Sequence, residues 1–76
     1  MARRLASLER VEPLSPRERQ IVRMLANGFS QKEAAHMLAI SKHTMHEHMR
    51  SVREHMAART TIEAVVTAVT REEAYA

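Results

Sequence analysis

The sequence predicts an all-α fold, and two observations carry that prediction. Glycine occurs once, proline twice and aromatics only as Phe29 and Tyr75, whereas Ala, Met, Glu, Arg and Leu abound; these are strong helix formers. The second observation is a repeated helix-start signature. Ser15-Pro16-Arg17-Glu18 places a Ser N-cap before a Pro at the first helical position, with a Glu three residues on to return the capping bond. Ser30-Gln31-Lys32-Glu33 and Thr60-Thr61-Ile62-Glu63 repeat the box, and Ser41 marks a further start.

Four helices follow in order. Helix 1 is expected from about Pro16 to Asn27, with Ile21, Val22 and Leu25 facing inward and Gly28 closing its C-terminus. Helix 2 is expected from Gln31 to Ala39; its Ala34-Ala35 pair admits a close neighbour, and Leu38 and Ile40 anchor the corner that follows. Helix 3 is expected from Lys42 to Ala57, and helix 4 from the Thr60 cap to about Glu73. Residues 1 to 13, with Leu5, Leu8 and Val11 at helical spacing before Pro13, read as an N-terminal arm or short helix; residues 14 to 76 form the domain proper. At 76 residues a lone core is only marginally stable, and a dimer partner or a bound nucleic acid would help it.

Only a tight turn separates helices 2 and 3, which forces them to cross steeply, as in a helix-turn-helix. Nucleic acid is therefore the first partner to consider. The formal charge of +3 is unevenly spread: residues 14 to 29 hold three Arg against one Glu, residues 30 to 59 five cations against three Glu, and residues 60 to 76 one Arg against three Glu. All five histidines fall between His36 and His55, so this basic region gains further charge as pH falls through about 6.5. A basic patch attracts phosphate, although +3 is also ordinary for a solvated surface.

Helix 3 divides into two faces when residues are placed 100° apart. Met45, Met49, Val52 and Met56 form a narrow apolar stripe; opposite lie His43, Glu47, Arg50 and Glu54, flanked by His46 and Arg53. A helix with polar side chains on its outer face fits the major groove, where Arg50 suits guanine and Glu47 a cytosine amino group. Glu47 has a second reading: a carboxylate near phosphates repels them, and it can instead orient Arg50 or Arg53 through helical spacing.

With these residues in place, the chain from about Leu14 to Val66 resembles the LuxR/FixJ-type (GerE-type) helix-turn-helix of bacterial transcription regulators. The resemblance rests on Leu14-Ser15-Pro16-Arg17-Glu18, Leu25-Ala26 followed by Gly28 and Ser30, Lys32-Glu33 with Ala35, then Leu38, Ile40-Ser41, Thr44 and His48. It implies a four-helix domain whose third helix enters the major groove and whose fourth often forms the dimer contact. It also implies that Lys32, Thr44 and Arg50 touch DNA, and Lys42, His43, His46, Glu47 and Arg53 complete the expected DNA-binding set. The chain departs from the family pattern at His46, where Lys is frequent, at Glu47, at Ala57, where Gly usually follows helix 3, and at Thr61, often Arg. Base preference therefore does not carry over. Met37 stands where a polar residue is common, either as an exposed contact or, the favoured reading, as cover for a gap in the core.

On helix 4, Ile62, Val65, Val66 and Val69 are expected to pack on helices 1 and 3, leaving the stripe Ala64, Ala68, Arg71 and Tyr75 as the expected dimer interface. Alanines on a solvent face are alternatively just good helix formers.

The sequence argues against several other classes. It contains no cysteine, so neither disulfides nor a cysteine metal site are available, and a reducing cytoplasm suits it. His43 and His46 share one side of helix 3, His48 and His55 another, and no carboxylate-histidine set converges for a metal; His48 is expected at the core edge, bonded to backbone or phosphate. No nucleophile-base constellation or phosphate loop points to an enzyme, and no cofactor is implied. No apolar run approaches the ~20 residues of a spanning helix, so membrane insertion is not expected.

The expected function is that of a stand-alone, sequence-specific double-stranded-DNA-binding transcription regulator, a homodimer on a two-fold-related site. Thirteen residues ahead of the domain are too few for a receiver or signal-binding pocket, so sensing is expected to lie elsewhere. The alternative is an interaction module that binds another LuxR-type regulator through helix 4 and blocks its dimerisation. A third reading is a domain excised from a longer regulator.

Overall fold

A computed structural model describes residues 11 to 71. It contains helices α1 (Pro16–Ala26), α2 (Gln31–Met37), α3 (Lys42–His55) and α4 (Thr61–Thr70), with no strand among the described residues. The all-α, four-helix class is as the sequence implies. Leu5, Leu8 and Tyr75 lie outside the described residues. Val11 packs against the core, and the Glu12 N–H donates to the His55 carbonyl at 2.8 Å, tying the entering chain to the end of α3.

Each helix begins where its cap predicts. The Ser15 and Ser30 hydroxyls accept from the Glu18 and Glu33 N–H groups (3.2 and 3.0 Å), and both carboxylates return to the cap N–H groups (2.7 and 2.8 Å), so two orphan donors are satisfied at each start. Ser41 Oγ accepts from the Thr44 N–H, and Thr60 Oγ1 from that of Glu63.

Three helices end alike, by a residue in the left-handed region followed by a pair of back-bonds. After α1 this residue is Gly28 (φ 96°), with Phe29 donating to the Met24 carbonyl and Gly28 to that of Leu25. After α2 it is Ala39 (φ 55°), with Ile40 donating to Ala35 and Ala39 to His36; after α3 it is Ala57 (φ 52°), with Ala58 donating to Arg53 and Ala57 to Glu54. The latter two positions ordinarily favour glycine, because a Cβ crowds the carbonyl there. Helices 2 and 3 consequently stop at Met37 and His55, two residues short of the expected Ala39 and Ala57, which form the reversal itself.

The core takes Ile21 and Val22 from α1, Ala34 and Ala35 from α2, Met45, Met49 and Val52 from α3 with Met56 at its C-cap, and Leu14 from the entering chain. Leu38 and Ile40 pack against it from the α2–α3 corner. Met37 is 59% exposed and so does not fill a core gap.

Helix 4 is rotated from its expected orientation: Val65 and Val69 still pack against the core, but Ile62 and Val66 do not. Ala64 and Ala68 are wholly buried, as is Thr67 between them, whereas Ile62 is 76% and Val66 53% exposed. Val65 and Val69 flank the core, half-buried. The physical reason is distance. α4 packs on both α1 and α3, and only a face of small side chains allows so close an approach to two helices at once. The large apolar residues are displaced outward, so Ala64 and Ala68 are core residues and cannot form a dimer seam. Of that expected interface, Arg71 is exposed and Tyr75 lies outside the described residues.

Candidate nucleic-acid interface

The buried methionines of α3 fix which of its faces looks outward. With Met45, Met49, Val52 and Met56 locked in the core, Lys42, His43, His46, Glu47, Arg50 and Glu54 are all exposed. Thr44 is half-buried, and its hydroxyl oxygen accepts from Ser41 Oγ at 3.0 Å, so it takes part in capping α3. His48 is half-buried. Arg50 Nε lies 3.5 Å from Glu54 Oε1, one turn further along, with both side chains about 70% exposed. The carboxylate beside Arg50 is thus Glu54.

Two grooves run along this surface. The larger, about 630 Å³, lies between α2 and α3 and is lined by Gln31, Lys32, Ala35, His36, Ile40, Lys42, Met45 and His46. The second, about 360 Å³, is lined by Gln31, His46, Glu47, Met49, Arg50 and Arg53. Gln31 and His46 border both, so the two form one trough crossing from α2 over the outer face of α3. The fold thereby brings Lys32, Lys42, His46, Glu47, Arg50 and Arg53 together; His43 and Thr44 line neither groove. His36 is in the trough although nothing in the sequence reading singled it out. Its position one turn after Lys32 on the same helix was the available signal.

Helix α3 is held to α1 by a polar cluster around the buried Glu18. Glu18 is 3% exposed, and its Oε1 accepts from the Ser15 N–H and lies 3.0 Å from His55 Nδ1. Burial pushes the Glu18 carboxyl up, but hydrogen bonds from the Ser51 hydroxyl and from the Ser15 N–H and hydroxyl, with the charge of His55, outweigh it and hold the pKa below the usual carboxylate value. Glu33 is also lowered, by the hydrogen bonds from Ser30. Among the described residues no three His, Asp or Glu side chains converge as a metal site would require, and no helix is long and apolar enough to cross a membrane.

A short helix pair meeting at a tight corner, with a cationic trough beside the outward face of the second helix, defines a helix-turn-helix DNA-binding domain. The family model of the bacterial regulatory proteins of the luxR family (GerE) matches residues 12–68, and the chain belongs to that family of DNA-binding transcription regulators. No significant match was found among curated proteins or among solved structures.

Proposed function

We propose that the chain is a sequence-specific double-stranded-DNA-binding transcription regulator that needs no further domain to bind its site and acts as a homodimer on a two-fold-related sequence. The observation that carries this reading is the continuous trough from Lys32 to Arg53, beside an α3 face whose side chains are exposed. Arg50 reads a base, with guanine as its best partner, and Lys32, Lys42 and Arg53 hold phosphates.

For the second copy, the support is the exposed apolar face of α4. Ile62 and Val66 project from a depression of about 310 Å³ lined also by Leu25, Phe29, Gln31, Thr61 and Val65. A patch of this kind on a small domain marks an interaction surface. The same face would serve an antagonist that captures another luxR-family regulator, so oligomeric state separates the two readings.

The test is a titration of wild type, Arg50→Ala and Lys32→Ala against a selected site and a scrambled duplex at several salt concentrations, with sedimentation of the free protein. Arg50→Ala should lose ~1–3 kcal/mol on the selected site alone. Lys32→Ala should weaken both duplexes and flatten the salt dependence. Equal losses on both duplexes for Arg50→Ala would make it a phosphate contact, and a monomeric wild type that pairs only with another regulator would favour the antagonist.

A further inference from the structure

We propose that the groove between α2 and α3 seats a DNA phosphate between His36 and His46, and that protonation of these two imidazoles makes DNA affinity rise as pH falls. The inference rests on the reading of α3 as the DNA-contacting helix and adds a regulation of that site.

The groove is built for an anion on its rim and against water on its floor. Its floor is Ala35 and Met45, both buried, with the half-buried Ile40; its rim is Gln31, Lys32 and His36 on the α2 side and Lys42 and His46 on the α3 side. No carboxylate is among its lining residues. Glu33, the acid carried by α2, is turned back to the Ser30 N–H at 2.8 Å. On α3, Glu47 borders the adjoining groove, where Arg50 and Arg53 accompany it. Charged neighbours of the two imidazoles within the groove are therefore the cations Lys32 and Lys42.

An apolar floor lowers the local dielectric, so charges on the rim act on a phosphate more strongly than in open water. At alkaline pH the rim offers two ammonium groups; once the imidazoles are protonated it offers four cations, two from each bank. The imidazoles carry the proton dependence, because a seated phosphate favours their charged form and binding must then take up protons. Both histidines are exposed, so their protonation leaves the core untouched.

The experiment follows the affinity of the full chain for a fluorescent mixed-sequence duplex between about pH 8 and about pH 5.5 at fixed ionic strength, for wild type, His36→Gln, His46→Gln and the double variant. Wild type should gain on the order of tenfold across this range, and its salt dependence should steepen by no more than about one phosphate equivalent. Each single variant should lose part of the gain, and the double variant should keep less than about a twofold gain. Circular dichroism at each pH confirms that the variants stay folded. A double variant that retains the wild-type gain overturns the proposal and assigns the effect to His43 or another group. A wild type that binds at pH 8 with a flat profile overturns it while leaving the DNA-binding reading intact. Absence of DNA binding at every pH overturns both.

Discussion

Glu18 and His55 meet between the start of α1 and the end of α3, Oε1 to Nδ1 at 3.0 Å, with the carboxylate almost wholly buried. Through Ser15 the same carboxylate closes the first capping box, and through Ser51 it takes a second grip on α3. One side chain thus closes the cap of one helix and sets the position of α3 against it.

The first prediction concerns acid. Because the folded pKa of Glu18 lies below its unfolded value, its contribution to stability is present above the unfolded pKa, about 4.3, and is lost as pH falls through the folded value. Wild type should hold its melting temperature from neutral pH to about 5 and lose it below about 4.3. Glu18→Gln should cost ~1–3 kcal/mol at neutral pH and flatten the acid limb, since the lost acceptor is charged and buried. Thermal melts of both proteins at about pH 7 and pH 4 check this; an acid limb unchanged in Glu18→Gln would show that another carboxylate controls it.

The left-handed alanines predict stabilising substitutions. Ala39 (φ 55°) and Ala57 (φ 52°) each hold a conformation that costs an L-residue roughly 1–2 kcal/mol and glycine much less. Glycine also loses more entropy on folding, so Ala57→Gly and Ala39→Gly should each stabilise by a net ~0.5–1 kcal/mol. That raises the melting temperature by a few degrees in a domain of this size. No rise in either variant would mean that the reversals are not as tight as described.

Helix 4 offers a paired test of its orientation. Ala68→Glu should unfold the monomer, because a carboxylate forced into a fully buried site without a partner costs on the order of 3–5 kcal/mol. Val66→Glu changes an exposed position and should leave monomer stability within about 0.5 kcal/mol. If the α4 face joins two copies, Val66→Glu should dissociate them, measured by sedimentation, and lower affinity for a full site towards that for a half-site. A folded Ala68→Glu would refute the observed packing.

Glu54 bears on how Arg50 is used. An exposed helical ion pair adds little to folding, so Glu54→Gln should change stability by less than about 0.5 kcal/mol. If Arg50 contacts DNA as proposed, removing the carboxylate paired with it should instead raise duplex affinity severalfold, measured by anisotropy. A loss of discrimination between selected and scrambled duplexes would show that Glu54 orients the guanidinium rather than restraining it.

Local rules were enough for much of this molecule. Ser15, Ser30, Ser41 and Thr60 announced the helix starts because a cap acts over three residues, and Gly28 announced an end because only the local backbone decides it. The apolar stripe of α3 was equally legible: at spacings of four, three and four residues, the large side chains of Met45, Met49, Val52 and Met56 leave one burial solution. That solution turned Lys42, His46 and Arg50 outward. What tertiary structure alone decided were matters of distance between helices. α4 buries Ala64 and Ala68 rather than Ile62 and Val66 because it must approach α1 and α3 closely, and hydrophobicity along one helix carries no record of that gap. Ala39 and Ala57 adopt a glycine-like conformation because the core on either side requires the chain to reverse there. His36 and His46 line one groove only because two separate helices bring them there, and no spacing within either helix encodes that meeting.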